Sequence, residues 1–178
     1  MDDGLRVLLL RAVNVGGAKL PMAELRELAE GLGATRVSTY IASGNLLCVP
    51  PGDWREFDRA LERAVEQRFG FFREVVSRTP AELQRALDAH PFEVLHPRFS
   101  SIVFLTGHPA AEVVERARQV DTGPELWRLV GEEVHVRYAD GAGRAHPGLD
   151  RALRTLGVPG TARNLSTVRK LVDLCRAG

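Results

Sequence analysis

The sequence predicts an α+β protein made of two ferredoxin-like subdomains, each followed by an extra helix. Segments with strand-like and helix-like apolar periodicity follow one another in the order β-α-β-β-α-β, which is the split βαβ arrangement. The order occurs twice, and a proline-containing stretch from His90 to Arg98 separates the two copies. We therefore assign the first subdomain to residues 1–92 and the second to residues 99–178.

The first half begins with Leu5 to Leu10, a strand with apolar residues on both faces, which we expect to be covered on both sides. Pro21 suits the first position of a helix. At the start of the extra helix, Thr79 and Glu82 are predicted to form a capping box, with Pro80 at the first helical position. The other elements predicted in this half are a helix from Met22 to Leu32, strands at 37–41, 46–49 and 72–77, and a helix capped by Asp53.

The second half repeats the pattern with a strand from Ser101 to Leu105, again apolar on both faces. His146 precedes Pro147 at a helix start, which favours a capping or solvent-exposed histidine. The remaining elements are a helix opened by Pro109, a hairpin through Gly131, the helix opened by Pro147, a short strand at 160–163 and a final helix.

Composition excludes several classes of protein. The chain of 178 residues has a formal net charge of +1, which predicts no bulk attraction to nucleic acid or to an anionic membrane. No apolar run is long enough for a membrane span. The first residues lack the basic and apolar regions of a signal peptide, so we expect a cytoplasmic protein. Cys48 and Cys175 fall at apolar positions and are predicted to be buried free thiols.

The loop between the first strand and the first helix is the best candidate site, and residues 11–20 are called the Gly-Gly loop below. A helix start exposes unpaired backbone N–H groups, and its dipole favours an anion. Leu20 cannot cap this helix, whereas the other helix starts offer capping side chains. In the alternative interpretation the glycines only shape a turn, Asn14 bonds the backbone, and a distant side chain caps the helix. The candidate ligand-binding residues here are Arg11, Asn14, Gly16, Gly17 and Lys19.

Two further segments carry candidate residues. Ser43, Gly44 and Asn45 form a hairpin-turn signal, and the split βαβ topology brings this turn beside the Gly-Gly loop, so the two could share a site. Arg163 and Asn164 occupy the turn into the final helix. Asn164 is interpreted either as a helix cap or, with Arg163, as part of a ligand site.

No motif in the sequence identifies a reaction, a metal or a cofactor. The five histidines lack metal-ligand spacing, and neither a nucleophile elbow nor a Cys-His pair is present. The predicted central strands of the first half carry no aromatic residues, which argues against RRM-like RNA binding. We therefore predict no metal and no cofactor, and leave open whether the protein is an enzyme.

The chain resembles the DUF1697 family of bacterial proteins, whose function is unassigned. The resemblance covers nearly the whole chain and implies two ferredoxin-like subdomains; it implies no activity, cofactor or catalytic residue. The matching segments are Leu9-Leu-Arg11, Asn14-Val-Gly-Gly17, Lys19 to Leu25, Thr39-Tyr40-Ile41, Ser43-Gly44-Asn45, Arg68-Phe-Gly70, Arg163-Asn164, Thr167-Val168 and Lys170-Leu171.

The leading hypothesis from the sequence is a cytoplasmic protein, either a binding protein or an enzyme, that holds a small anionic ligand at the Gly-Gly loop. The alternative is a non-enzymatic module that binds another protein or, less in keeping with the charge, a nucleic acid.

Overall fold

The computed structural model describes residues 4–177 and confirms the predicted element order in both halves. Each half contributes a four-stranded antiparallel sheet, with the strand orders β2-β3-β1-β4 and β6-β7-β5-β8. The fold is therefore α+β with two ferredoxin-like arrangements, as the sequence predicts.

The elements of the first half fall close to their predicted positions. They are β1 (Arg6–Leu10), α1 (Met22–Gly31), β2 (Thr35–Tyr40), β3 (Asn45–Val49), α2 (Trp54–Phe69), β4 (Val75–Arg78) and the extra helix α3 (Pro80–Asp88). The predicted caps are present: Asp53 Oδ1 accepts hydrogen bonds from the N–H groups of Arg55 and Glu56. Thr79 and Glu82 exchange side-chain and backbone bonds as a capping box.

The second half contains β5 (Ser100–Leu105), α4 (Ala111–Arg118), β6 (Leu126–Val130), β7 (Glu133–Arg137), α5 (Pro147–Thr155), β8 (Gly160–Asn164) and α6 (Leu165–Ala177), with a short 3-10 helix at Ala142–Arg144. His146 caps α5, because its Nδ1 accepts a hydrogen bond from Gly148 N–H at 3.1 Å.

The chain divides into two compact units. The first comprises the residues up to Leu83 together with the C-terminal residues from Leu171, and the second comprises residues 84–170. No helix in the described part of the chain is long and apolar enough to cross a membrane.

The first sheet has apolar residues on both faces, as predicted for β1. Leu8 and Leu10 join the core formed with α1 and α2, whereas Val7 and Leu9 point to the other face and are also fully buried. Every residue of β1 is buried. This strand therefore provides a rigid base for the loop that follows Leu10.

The second sheet also buries apolar side chains on both faces, as predicted for β5: its residues Ile102 and Phe104 are fully buried on the face opposite Leu105. Val134, Val136 and Leu105 pack with residues of α4 and α5 in one apolar cluster. Because side chains alternate along a strand, Glu133, His135 and Arg137 of β7 point to the opposite face.

Candidate functional site

Three segments meet at one edge of the first sheet. β1 runs antiparallel to both β3 and β4, so the end of β1 lies beside the starts of those strands. Leu10 N–H donates to Gly44 O at 2.9 Å, and Arg11 N–H donates to Glu74 O at 3.0 Å. The Gly-Gly loop, the turn at 41–44 and the segment at 70–74 therefore adjoin one another, and the predicted proximity of the first two is confirmed.

Asn14 fastens the Gly-Gly loop to its surroundings. Its Oδ1 accepts a hydrogen bond from Leu20 N–H at 2.8 Å, and its Nδ2 donates to Leu20 O at 3.1 Å. The same Nδ2 donates to Ala42 O in the neighbouring turn. The carboxamide is thus engaged by backbone groups, and its contribution to a site is to hold the two loops in position.

The two glycines of the loop lie in open surroundings. Gly16 and Gly17 have φ values of +57° and +87°, which glycine adopts at low cost. A Cβ atom built on either residue meets nothing within 4 Å. The loop tip therefore leaves space beside its backbone.

The turn at Ser43, Gly44 and Asn45 is closely packed. A Cβ on Gly44 would lie 2.5 Å from Val13 Cγ2, so only glycine fits this position. Asn45 is fully buried, and its Nδ2 donates to Tyr40 O and Ser43 Oγ, both at 2.9 Å. Gly44 and Asn45 therefore shape the turn.

The loops contain residues in conformations that their side chains disfavour. Ala12 has a φ of 52°, and Ile41 has a φ of 48° although it is β-branched. Such conformations cost about 1–3 kcal/mol each and persist where the surrounding structure enforces them. Both residues flank the contact between Asn14 and Ala42, so the strain is concentrated at this edge.

The start of α1 has no capping side chain among the described residues. Pro21 is the N-cap rather than the first helical residue, and its side chain accepts no hydrogen bond. The prediction of an uncapped start is therefore confirmed. The prediction that it is unique is wrong, because the N-cap of α4, Ala110, also lacks a side-chain bond.

Basic side chains from three positions border this edge. Arg11 and Lys19 are exposed, and Arg11 forms an ion pair with Glu74 at 3.3 Å. Arg73 is half-buried, and its Nε donates to Ala12 O at 3.0 Å. Sequence reasoning missed Arg73 because it predicted a strand from Phe72, whereas β4 begins at Val75.

Apolar side chains are also exposed here, one in each segment. The exposed fractions are 57% for Val15, 49% for Ile41 and 43% for Phe72. Side chains of this size are costly to leave in water, so their recurrence at one edge marks it as a candidate contact surface.

The predicted residues Arg163 and Asn164 belong to the second unit, whereas the Gly-Gly loop belongs to the first. Asn164 Oδ1 accepts from Thr167 N–H at 2.9 Å, which makes it the cap of α6. Arg163 Nη1 donates to Thr161 Oγ1 at 2.6 Å and to Ala162 O at 2.9 Å. Burial lowers the pKa of Arg163 to about 10.

Within residues 4–177 no group of three His, Cys, Asp or Glu side chains is placed to hold a metal ion. The chemistry that the edge offers is therefore that of cations, backbone N–H groups and exposed apolar surface.

Comparison with a known structure supports the fold over nearly the whole chain. A conserved bacterial protein from Streptococcus pneumoniae superposes with a TM-score of 0.77 at 20% identity, covering 97% of this chain and 98% of that one. A protein named as a "putative glycine cleavage system transcriptional repressor" is aligned over 89% of this chain and 95% of its own, at 12% identity and a TM-score of 0.24, which is too low to support an argument. No curated protein matches the chain.

The model of a family described as "Protein of unknown function (DUF1697)" matches residues 5–135, which is most of the chain and includes the whole loop edge. The resemblance found in the sequence is confirmed, and the chain belongs to the DUF1697 family.

Proposed function

We propose that the first unit binds a small anionic ligand at the edge formed by the Gly-Gly loop, the turn at 41–44 and the segment at 70–74. The observation that carries the proposal is that Arg11 and Lys19 lie in the loop leading to the uncapped start of α1, and that Arg73 contacts the same loop at Ala12 O. Unpaired N–H groups at a helix start and nearby cations favour a phosphate or carboxylate.

The charge of the three segments supports an anion. They contain the basic residues Arg11, Lys19 and Arg73 and one acidic residue, Glu74, so their formal charge is 3 − 1 = +2. The chain as a whole carries +1, so positive charge is concentrated at this edge.

The backbone of the edge supports a preorganised site. Asn14 holds both the Leu20 backbone and Ala42, and Ala12 and Ile41 are kept in disfavoured conformations. A loop that is fixed in advance loses little entropy when a ligand binds. The open space beside Gly16 and Gly17 leaves room for a ligand to approach the backbone.

We also propose that the protein acts in the cytoplasm. Cys48 and Cys175 are both free thiols, which is usual in a reducing compartment. We propose no reaction, because the edge has no nucleophile paired with a base among its described residues.

Ligand-dependent thermal stabilisation tests the proposal. Inorganic phosphate, nucleotides and small carboxylates are added to the full chain, and at least one is expected to raise the melting temperature. Lys19→Ala and Arg73→Ala should each reduce that rise. Arg63→Ala removes an exposed cation from α2 and serves as the matched control. If no anion raises the melting temperature, or if the three variants respond alike, the proposal is wrong.

A second candidate function, a non-enzymatic interaction module, rests on the exposed side chains of Val15, Ile41 and Phe72. An apolar patch bordered by cations suits a protein partner or a nucleic acid. Phe72→Ser should then reduce the capture of one specific partner, tested with and without nuclease. Under the anion proposal, the same substitution should leave anion-dependent stabilisation intact.

A further inference from the structure

One face of the sheet in the second unit combines the fully buried Ile102 and Phe104 with several polar and basic residues. The register places Arg128, His135, Ile102 and Arg163 in one row across β6, β7, β5 and β8. The adjacent row pairs Ser100 of β5 with Arg137 of β7. This face is opposite the apolar cluster that contains Val134 and Val136.

Four buried polar atoms on or against this face have no hydrogen-bond partner. They are Ser100 Oγ, Arg137 Nε, His90 Nε2 and His135 Nε2, and they account for all but one of the unpartnered buried side-chain atoms in the described chain. Ser100 and His135 are fully buried. Buried polar atoms are nearly always hydrogen-bonded, so a cluster of four indicates a missing partner.

The histidine pair supplies a donor at this place. His90 Nδ1 and His135 Nδ1 are 3.1 Å apart, so in the neutral pair one nitrogen donates and the other accepts. The ring whose Nδ1 accepts therefore carries its single proton on Nε2, whereas the ring whose Nδ1 donates has an unprotonated Nε2. Burial lowers the pKa of His90, aided by Arg169, and lowers the pKa of His135 to about 4, aided by His90.

The charges around the pair favour an anion over a metal cation. Arg128, Arg137 and Arg163 lie on this face, and Arg169 acts on His90. The acidic residue of β7 on the same face is Glu133, two residues before His135. The positive charge of three guanidinium groups exceeds the negative charge of one carboxylate, so the face repels a metal cation.

We propose that the second unit binds a small oxyanion at this face, held by Ser100, Arg137 and the histidine pair. Ser100 and Arg137 face each other directly across two strands, so their Cβ atoms lie about 4.5–5.5 Å apart. The Ser100 hydroxyl and the Arg137 Nε–H then offer two donors side by side, a geometry that suits a phosphate. Arg137 is half-buried as a residue, whereas Ser100 is fully buried.

This site is independent of the Gly-Gly loop, since its residues belong to the other unit. The site also differs from the one predicted at Arg163, because none of its proposed donor residues is a candidate site residue from the sequence.

The test of the site is a titration of inorganic phosphate into the full chain. Binding is monitored by the side-chain ¹⁵N resonances of arginine Nε and histidine Nε2. The Arg137 and His135 signals should shift and saturate. Arg137→Gln should weaken binding by about tenfold or more, because it removes a charge-assisted bond. Arg118→Gln removes a cation from α4 as the matched control and should change the affinity by less than about twofold.

Ser100→Ala is the second variant, for the case in which Arg137→Gln does not fold. It removes the hydroxyl group with little change of volume. It should not lower the melting temperature without phosphate, since the hydroxyl has no partner there, but it should reduce the rise that phosphate produces. Lys19→Ala should leave phosphate binding at this face unchanged. A failure of this proposal can therefore be distinguished from a failure of the proposed site at the Gly-Gly loop.

Three results would overturn the site. The first is no movement of the Arg137 and His135 signals at about 10 mM phosphate, which corresponds to negligible affinity. The second is equal weakening by Arg137→Gln and Arg118→Gln, which indicates non-specific attraction. The third is a crystal structure grown with phosphate in which ordered waters alone occupy the Ser100 and Arg137 donors.

Discussion

The side chain of Asn14 makes both hydrogen bonds that a backbone partner of Leu20 would make. Its Oδ1 accepts from Leu20 N–H at 2.8 Å and its Nδ2 donates to Leu20 O at 3.1 Å, while Asn14 itself has a φ of 56°. The loop is thereby closed on itself just before α1. Because Nδ2 also donates to Ala42 O, one carboxamide sets the positions of two loops.

Asn14→Ala is therefore expected to destabilise the protein by about 2–3 kcal/mol, since it leaves backbone groups of Leu20 and Ala42 without their partner. Asn14→Asp keeps the acceptor but loses the donor, so its cost should be intermediate. Urea unfolding measures both. Asn164→Ala removes a helix cap, which costs about 1 kcal/mol, and is the comparison. An Asn14→Ala cost no larger than that of Asn164→Ala would contradict the role assigned to Asn14.

Substitution of glycine by alanine should destabilise the protein more in the turn at Gly44 than at the tip of the Gly-Gly loop. Gly44→Ala places a Cβ 2.5 Å from Val13 Cγ2 at a φ of +82°, so clash and strain together should cost about 3 kcal/mol or more. Gly17→Ala at a φ of +87° meets no atom within 4 Å and should cost only about 1 kcal/mol from backbone strain. Equal unfolding free energies for the two variants would show that the turn is not closely packed.

The two cysteines should react at different rates with a thiol reagent. Cys48 is fully buried, and burial with the nearby Asp58 raises the pKa of its thiol to about 12. Cys175 is only half-buried, so the prediction that both thiols are buried is wrong for this residue. The native protein should therefore be labelled once and quickly, at Cys175, and Cys48 should react only after unfolding. Rapid double labelling of the native protein, with Cys175→Ser as the control, would be incompatible with this packing.

The element order follows from signals that are local in sequence. The cap at Asp53, the capping box at Thr79 and Glu82, and the cap at His146 each lie within three residues of the groups they bind. Strand and helix periodicity then place the remaining elements, so the fold could be predicted.

The candidate sites depend on contacts between distant residues, which periodicity does not report. Asn14 meets Ala42, and His90 meets His135, which is 45 positions away in the sequence. The turn beside the Gly-Gly loop could be placed because strand topology fixes it. Arg73 could not be placed from the sequence, because its position depends on where β4 begins.

A buried acid in the first unit should make stability depend on pH. Asp58 of α2 is 1% exposed, and its Oδ1 has no hydrogen-bond partner among the described residues. Burial raises the pKa of Asp58 from 3.8 to about 7, although Arg6 and Arg59 act to lower it. The folded protein therefore holds a proton on Asp58 that the unfolded chain releases at a lower pH.

The sign of the effect follows from this difference in proton binding. Between pH 3.8 and about 7 the folded state binds more protons than the unfolded state, so the free energy of unfolding falls as the pH rises. The loss should be complete above about pH 7 and amount to about 4 kcal/mol. His135, whose pKa is lowered, acts in the opposite direction and destabilises the fold as the pH falls below its ordinary value.

Asp58→Asn isolates the contribution of the acid from that of His135. The free energy of unfolding, measured by urea at about pH 5 and about pH 8, should fall less between these values in the variant than in the wild-type protein, by about 2–3 kcal/mol. Asp173→Asn, at an exposed position of α6, should keep the wild-type dependence. Identical pH dependence in the wild-type protein and Asp58→Asn would mean that the carboxyl group is ionised in the fold, and that Arg6 and Arg59 outweigh the cost of its burial.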